Sequence, residues 1–373
     1  MKSWDVIVVG AGIIGLSLAR ELRKGGMSVL VVDRGEPGRE ASWAAGGMLV
    51  ACGLETPPPL RPLAEASARM YPEFVHELED ESRRKIDLRD LGTLLFLDWG
   101  LELLPSERGQ VAPSAGSGQA LATAGEAPAP LSSGDVNQIE PALRLRDGAV
   151  LHLKERSVDP RDLTSAALAA ARHRGVDFSS GDEVLAVEVA DGKAAGVRTN
   201  KTRFAAGTVI NCAGAWAGQI APYAFPTRPV KGQMLCVAMP EKNLLRHVVR
   251  TPDVYLIPRS DGRMLIGATV EEAGFDKQTV PATIQKMRRA ALDLVPKLEN
   301  AKILEAWAGL RPGTPDALPI LGGTSTPGYF VATGHFRDGI LLAPVTARVI
   351  RQLVTGQTPG FDLAPFSAAR FSG

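Results

Sequence analysis

A chain of 373 residues exceeds the length of a typical single domain, so we expect a second lobe beside the first. Its 42 basic and 41 acidic side chains leave a formal net charge of +1, which excludes the basic surface of a nucleic-acid-binding protein or of one held on an anionic membrane. The composition therefore predicts a partner that is a small molecule.

The three cysteines are Cys52, Cys212 and Cys236, and their spacing matches neither a CxxC pair nor a metal site. A sparse, odd-numbered set is typical of free thiols in a reducing compartment. We therefore predict neither disulfides nor a metal site. The apolar stretch Asp5–Ala19 is similar to the core of a signal peptide, but its three glycines and the strand that follows favour a nucleotide-binding unit. Because no apolar run reaches the roughly 18 residues of a membrane span, we also predict a cytoplasmic protein.

The strongest motif lies at the start of the chain. An apolar strand from Asp5 leads into Gly10-x-Gly12-x-x-Gly15, an apolar helix follows, and a second strand ends at Asp33. Gly10 permits the tight turn, Gly12 lets a pyrophosphate approach the amides at the helix N-terminus, and Gly15 lets helix and sheet pack closely. Asp33 can accept hydrogen bonds from a ribose. We predict an adenine-dinucleotide site; the alternative is a purely structural turn.

The next segments are interpreted from composition and periodicity. Small residues in Ala41–Leu49 suggest a backbone that passes close to a flat ligand, and a tightly packed helix start is the equal alternative. Apolar residues at helical spacing from Leu63 to Leu78 predict an amphipathic surface helix. Pro105–Gly134, rich in Ala, Gly, Ser and Pro, is predicted to be a mobile surface excursion. Asp159-Pro160 predicts the start of another helix.

The second half of the chain reads mainly as strands. Thr208–Trp216 predicts a strand that ends in a small-residue turn, which could return the chain to the first sheet beside the ligand. Short strands and turns between Pro229 and Gly267 predict an antiparallel sheet. A last strand, Tyr329–Thr333, is expected to lead through the turn at Asp338-Gly339 into a final apolar helix.

Six segments spread over residues 10–344 carry a family resemblance: GAGIIG, SWAAGGML, PVKGQ, YLIPR, WAGLRPGTPD and GHFRDGILLAP. In them the chain resembles the D-amino-acid oxidase superfamily of FAD enzymes and, within it, the glycine oxidase family of the thiamine pathway. The likeness covers nearly the whole chain. It implies an α/β fold, α+β overall, in which a Rossmann-like FAD-binding domain with a parallel sheet joins a substrate domain built on an antiparallel sheet with helices.

The predicted FAD-binding domain is discontinuous, with residues 1–85, 145–225 and 305–373, and the substrate domain has residues 86–144 and 226–304. The resemblance implies non-covalent FAD, since the chain lacks a counterpart of the C-terminal cysteine that tethers flavin in sarcosine oxidases. The final helix would point its N-terminal amides at the pyrimidine edge of the flavin. In addition to Gly10, Gly12 and Gly15 of the glycine motif, the resemblance places along the cofactor Ile13, Ile14, Asp33, Arg34, Ala41, Ser42, Gly46, Gly47, Met48, Val184, His335, Phe336, Arg337, Asp338, Gly339, Ile340 and Leu341.

Tyr255, Arg311 and Arg337 match positions that contact substrate in the family, and we predict that they are the catalytic residues. The planar fork of an arginine can bind both oxygens of a carboxylate, and a tyrosine hydroxyl can donate to the same group. From the residues alone, Arg311 is better interpreted as a surface arginine in an ion pair, and the resemblance reverses that interpretation. Tyr255 could equally be a core residue between strands. Arg337 lines the substrate pocket or positions its loop.

Four other residues are interpreted more simply. Lys231 is read as a solvent lysine at a strand edge, the alternative being an electrostatic aid to oxygen reduction at the flavin. His335 is interpreted as a structural residue rather than an acid or base. Asp253 would repel an anionic substrate unless it faces away, and Val270 alters the volume of the pocket.

The activity that the resemblance implies is oxidative deamination of glycine and other small primary or secondary amines, such as sarcosine and small D-amino acids. Hydride would pass from the substrate α-carbon to flavin N5 as the amine forms an imine, a step that needs orientation more than a side-chain base. Dioxygen would become hydrogen peroxide, and water would release an oxo acid and ammonia or an amine. The alternatives are a dehydrogenase with another acceptor and a flavin-binding protein without turnover. We also expect a homo-oligomer.

Overall fold

The computed structural model describes residues 3–51, 56–97, 104–105, 111–112, 130–145 and 148–371. Most of the predicted surface excursion Pro105–Gly134 lies outside these ranges. The strands in chain order are β1 Ser3–Val9, β2 Val29–Asp33, β3 Met48–Leu49, β4 Leu88–Arg89, β5 Thr93–Leu97, β6 Leu104–Pro105, β7 Val111–Ala112, β8 Pro130–Leu131, β9 Ala149–Leu153, β10 Arg156–Val158, β11 Asp177–Ser180, β12 Val184–Ala190, β13 Lys193–Thr199, β14 Arg203–Asn211, β15 Arg228–Ala238, β16 Val248–Arg250, β17 Tyr255–Pro258, β18 Arg263–Gly267, β19 Ile303–Gly313, β20 Ile320–Gly323 and β21 Tyr329–Thr333.

Two of the helices were predicted from the sequence and are confirmed. The predicted amphipathic helix is α3, and the helix predicted at Asp159-Pro160 is α5, whose first turn is capped by the Asp159 carboxylate accepting from the Arg161 amide at 2.8 Å. The full set is α1 Ile13–Lys24, α2 Ala41–Ala44, α3 Arg61–Ser82, α4 Ser133–Ile139, α5 Pro160–His173, α6 Pro281–Leu294 and α7 Ala343–Val354. Among the described residues, none of these helices combines the length and apolarity needed to cross a membrane.

The first sheet has the strand order β11-β2-β1-β14-β13-β12, and β21 and β20 continue it beside β14. Strands β11, β2, β1, β14 and β21 are parallel to one another, which confirms the predicted parallel sheet. Helices α1, α3, α5 and α7 pack together on one face and bury Leu16, Tyr71 and Val349 in the largest hydrophobic core. Because the carboxyl ends of parallel strands meet at one edge, Gly10, Asp33 and Cys212 come together there.

The second sheet has the order β19-β15-β18-β17-β16-β5-β9-β8. Its neighbours are antiparallel, as predicted, apart from the parallel pair of β16 and β5. Helix α6 packs against β15 and β18. Strands β9 and β19 belong to this sheet, although the predicted boundaries assign residues 149–153 and most of 303–313 to the FAD-binding domain. The division into two domains stays a prediction.

The turn at Asp338-Gly339 leads, as expected, into the final helix. Residues 339–342 form turns, and α7 starts at Ala343. The physical reason is Pro344, which lacks an amide hydrogen and is tolerated only in the first turn of a helix. A helix that began at Gly339 would place this proline in its interior.

Candidate active site

A cleft of about 1020 Å³ lies between the carboxyl edge of the first sheet and one face of the second. Its lining includes the three predicted catalytic residues, Tyr255, Arg311 and Arg337. Of the positions predicted along the cofactor, Gly15 and Leu341 lie outside the lining. The others line it: Gly10, Gly12, Ile13, Ile14, Asp33, Arg34, Ala41, Ser42, Gly46, Gly47, Met48, Val184, His335, Phe336, Arg337, Asp338, Gly339 and Ile340.

Two glycines of the motif that follows β1 have no room for a side chain. Gly10 has a φ of +102°, and a Cβ added there would lie 2.6 Å from the carbonyl oxygen of Cys212 at the end of β14. A Cβ added at Gly15 would overlap the carbonyl oxygen of Gly10. The bare backbone at the N-terminus of α1 therefore forms a cradle that a pyrophosphate could enter, and it fits an adenine dinucleotide.

Two side chains border this cradle. The Asp33 carboxylate accepts from the amides of Ala11 at 2.7 Å and Gly35 at 2.8 Å, which fixes it at the end of β2 with further acceptor capacity for ribose hydroxyls. Ser42 Oγ accepts from the Ile13 amide at 2.9 Å. Ser42 belongs to the short helix α2 and also lines the cleft, so the two alternatives for this segment are compatible.

The floor of the cleft is the segment between β21 and α7. Helix α3 fixes it from behind, since Tyr71 donates to the Ile340 carbonyl and Ser67 to the Leu341 carbonyl, both at 2.6 Å. Within the described part of the chain, the amides of residues 339–341 donate to no carbonyl. These donors, which precede the start of α7, could stabilise negative charge on a ligand.

The buried His335 side chain also belongs to this floor. Its Nε2 lies 3.1 Å from Thr346 Oγ1 on α7, and burial lowers the pKa of His335 to about 3. The ring is therefore neutral at ordinary pH, in keeping with a structural role.

Arg337 and Asp338 are the charged neighbours on the floor. Burial raises the pKa of Asp338 to about 6, against the opposing effect of Arg337. Burial likewise lowers the pKa of Arg337, and Asp338 opposes that shift. For both groups the effect of burial is larger than the opposing effect of the neighbouring charge.

Replacing Asp338 with asparagine should stabilise the protein at neutral pH. The pKa of Asp338 is raised from 3.8 to about 6, so the folded state binds this proton more tightly and the wild type loses stability as the pH rises through that window. The gain of Asp338→Asn over the wild type should be near zero below about pH 3 and about 3 kcal/mol at about pH 8. Thermal unfolding of FAD-free protein measures it, with exposed Asp90→Asn as control. A gain that does not vary with pH would contradict this prediction.

Tyr255 and Arg311 lie on one face of the second sheet. Tyr255 is opposite Gly267, which is opposite Met234, and the tyrosine hydroxyl donates to Met234 Sδ at 3.3 Å. Arg311 crosses Gly232, where an added Cβ would overlap its guanidinium. The glycines therefore leave a path along which Arg311 reaches Tyr255. Burial raises the pKa of Tyr255, and nearby Arg311 opposes that rise, so the hydroxyl stays protonated and can donate.

Backbone carbonyls fix the direction of Arg311. Its Nη1 donates to the Thr269 carbonyl at 3.0 Å and to the Lys231 carbonyl at 3.4 Å. Among the described residues it makes no salt bridge, so it is not the ion-paired surface arginine that the sequence left open. The rest of its planar fork is available to a carboxylate in the cleft.

The interpretation of Lys231 as a solvent lysine at a strand edge is wrong. Strand β15 is paired on both sides, and the Lys231 backbone also pairs with Glu271. Only 1% of the residue is exposed, and its Nζ contacts Asp276 Oδ2 at 2.8 Å. The segment that contains Glu271 and Asp276 packs over this strand and buries Lys231. The local sequence around Lys231 does not reveal this packing.

The site thus combines a dinucleotide cradle at one end with an arginine and a tyrosine at the other. The sequence profile of the DAO family, described as FAD dependent oxidoreductase, matches residues 5–353. The chain belongs to the DAO family of FAD-dependent oxidoreductases. The predicted family and fold and the predicted FAD cofactor are confirmed. The roles of individual residues stay predictions.

Relatives of this DAO-family chain extend along its whole length. Glycine oxidase of Pseudomonas aeruginosa is 34% identical over 98% of this chain and 98% of its own length. The bifunctional protein ThiO/ThiG of Trichormus variabilis is 35% identical over 98% of this chain and 55% of its own length, so the chain spans about half of that relative. The crystal structure of glycine oxidase from Geobacillus kaustophilus matches with a TM-score of 0.89 and 31% identity, covering 100% of both chains.

The cysteines of this FAD-dependent oxidoreductase bear on how the cofactor is attached. Cys212 lines the cleft, and burial raises the pKa of its thiol far above the usual range. A protonated thiol is a poor nucleophile, which supports the prediction of non-covalent FAD. Cys236 is buried in the second sheet away from the lining, and Cys52 lies outside the described residues.

Sequence reasoning missed two arginines of this oxidoreductase's site. Arg259 is buried behind the lining, and its Nη2 donates to the Gly46 carbonyl at 2.6 Å, which fixes the small-residue segment beside Tyr255. Arg250 lines the cleft through a strand register that no local pattern reveals. Asp253, predicted to repel an anionic substrate unless it faces away, is exposed and outside the lining, whereas Val270 lines the cleft.

Proposed function

We propose that the chain is an amine oxidase that deaminates glycine and other small primary or secondary amines, including sarcosine and small D-amino acids, with dioxygen as acceptor. The observation that carries this proposal is the placement of Arg311 and Tyr255 on one sheet face, in the cleft whose other end is the dinucleotide cradle. The similarity to proteins named glycine oxidase supports the same substrate class. The products would be an oxo acid, ammonia or an amine, and hydrogen peroxide.

The chain's own residues would orient the amine. Arg311 and the protonated Tyr255 hydroxyl would bind the carboxylate, which fixes the α-carbon in the cleft. Neutral His335 would contribute no charge, and the free amides of residues 339–341 would face a ligand that gains electrons. Gly10, Asp33 and Ser42 would bind the adenine half of the cofactor. When bound, FAD supplies a two-electron acceptor.

The test is a substrate panel on purified, FAD-loaded protein. Glycine, sarcosine and D-alanine are each mixed with the enzyme anaerobically to follow flavin bleaching, and then aerobically to follow oxygen uptake and peroxide. Bleaching with stoichiometric peroxide would support an oxidase. Rapid bleaching with negligible oxygen uptake would instead indicate a dehydrogenase with another acceptor, and no bleaching by any amine would indicate a flavin-binding protein without turnover.

Three wider features of the function are also proposals. A place in thiamine biosynthesis is supported by the relative named ThiO/ThiG. A homo-oligomer and a cytoplasmic location follow from the sequence expectations. Size-exclusion chromatography with light scattering would test the first of these two, and cell fractionation the second.

A further inference from the structure

Arg250 is a second arginine on the sheet face that carries Tyr255. It ends β16 and is the cross-strand partner of Tyr255 on β17. Residues directly opposite each other in an antiparallel pair project from the same face, so the Arg250 side chain lies beside Tyr255 and lines the cleft. Arg311 reaches Tyr255 from the opposite direction, starting on β19. Tyr255 therefore lies between two guanidinium groups.

Arg250 uses only one of its three guanidinium nitrogens in contacts with the described residues. Its Nη1 lies 3.4 Å from each carboxylate oxygen of Glu155, and the described residues offer its other nitrogens no hydrogen bond. Charge-assisted hydrogen bonds are usually about 2.7–2.9 Å long, so this pair is a loose one. Glu155 lies outside the cleft lining, whereas Arg250 lies within it with 22% of its side chain exposed.

A substrate with one carboxylate needs only one of the two arginines, Arg250 and Arg311. A half-buried guanidinium loses hydration, and only a charged or hydrogen-bonding partner compensates that loss. Glu155 supplies such a partner at one nitrogen only, through the two long contacts of Nη1. A ligand with a second negative group would supply one to the other nitrogens.

We propose that Arg250 forms a second anion subsite and that the cleft favours amines that carry two carboxylates. The inference rests on the amine oxidation proposed above. Arg311 and Tyr255 bind the carboxylate next to the carbon that is oxidised, and Arg250 binds the other carboxylate. The two groups are then held on either side of Tyr255.

Iminodiacetate is the simplest probe, because it is achiral and has two identical arms. A C–H bond next to nitrogen breaks, its hydride leaves with both electrons, and the nitrogen lone pair forms the C=N bond. Water cleaves that bond to give glyoxylate and glycine. Two electrons and two protons convert dioxygen to hydrogen peroxide, so iminodiacetate, dioxygen and water yield glycine, glyoxylate and hydrogen peroxide.

The first experiment compares iminodiacetate with its monoamide, N-(carbamoylmethyl)glycine, which has nearly the same shape and one charge fewer. Initial rates of oxygen uptake by the FAD-loaded wild type should give a kcat/KM that is about 10-fold to 100-fold higher for iminodiacetate. Equal or lower values for iminodiacetate would overturn the subsite. Glycine oxidation in the same preparation shows separately whether the proposed function stands.

Three variants separate substrate binding from a structural role. Arg250→Gln should reduce the preference for iminodiacetate to near unity. Glu155→Gln should raise that preference, because it frees the guanidinium for the substrate; a fall like that of Arg250→Gln would mean that the pair is structural and would overturn the subsite. Arg246→Gln removes an exposed arginine outside the cleft and should leave the preference unchanged.

A binding experiment tests the subsite without turnover. Succinate and its monoamide succinamate are titrated into the holoenzyme, and the flavin absorbance gives each Kd. Tighter binding of succinate by about 10-fold in the wild type, lost in Arg250→Gln, would support the subsite even if no amine were oxidised. The same Kd for both ligands would count against it.

Discussion

Replacing Arg311 with methionine is expected to lower kcat/KM for glycine by at least about 30-fold, while the purified protein keeps its FAD. Losing one partner of a buried charge pair costs about 2–5 kcal/mol, and each 1.4 kcal/mol or so corresponds to tenfold in rate. Two carbonyls fix the direction of the guanidinium, so the variant loses a donor that is already oriented. Because the carboxylate is bound before and during the reaction, most of the loss should appear in KM.

Steady-state kinetics and the flavin-to-protein absorbance ratio measure this effect, and three variants sharpen it. Arg311→Lys keeps the charge without the planar fork and should fall between wild type and Arg311→Met. Gly232→Ala keeps the arginine but places a methyl group where its guanidinium lies, so it should also raise KM. Arg289→Met alters an exposed residue of α6 and should change nothing. Unchanged glycine kinetics in Arg311→Met would exclude Arg311 as the carboxylate ligand.

Local patterns predicted the dinucleotide end of the cleft well. Gly10, Gly12, Gly15 and Asp33 belong to one strand-helix-strand unit, where sequence spacing alone determines which residues meet. The close approach of Gly10 to the carbonyl of Cys212 depends on a strand that follows about two hundred residues later. The small-residue turn after that strand indicated its return, because ligands bind at the carboxyl ends of parallel strands.

The substrate end depends on pairings that the sequence does not contain. Arg250 meets Tyr255, and Arg311 crosses Gly232, only because of the order and register of strands in the second sheet. The resemblance supplied Tyr255 and Arg311 but not Arg250. Lys231 was misjudged for the same reason, since its cover comes from a segment about forty residues later.

The start of the final helix follows from the sequence itself. Pro344 fits only the first turn of a helix, and α7 indeed starts at Ala343. This start leaves the three amides of residues 339–341 free of intrahelical bonds. These separate donors, rather than a whole helix end, are then available to a ligand.

Replacing Gly15 with alanine should weaken FAD binding by at least about 100-fold and lower the free energy of unfolding by about 2–3 kcal/mol. Two effects of the methyl group compete. Alanine favours a helix by about 1 kcal/mol over glycine. Against this, its Cβ would overlap the carbonyl oxygen of Gly10, a backbone atom that cannot rotate away as a side chain can. Helix α1 must therefore move from β1, and the amides that face the pyrophosphate move with it.

Urea unfolding and fluorescence titration with FAD measure the two consequences of Gly15→Ala. Gly207→Ala is the matched control, because it adds the same methyl group to β14 of the same sheet, where no atom lies within 4 Å of the new Cβ. It should leave both quantities within experimental error of the wild type. If Gly15→Ala were as stable as this control and bound FAD as tightly, the close packing of α1 on β1 would not be what positions the cofactor cradle.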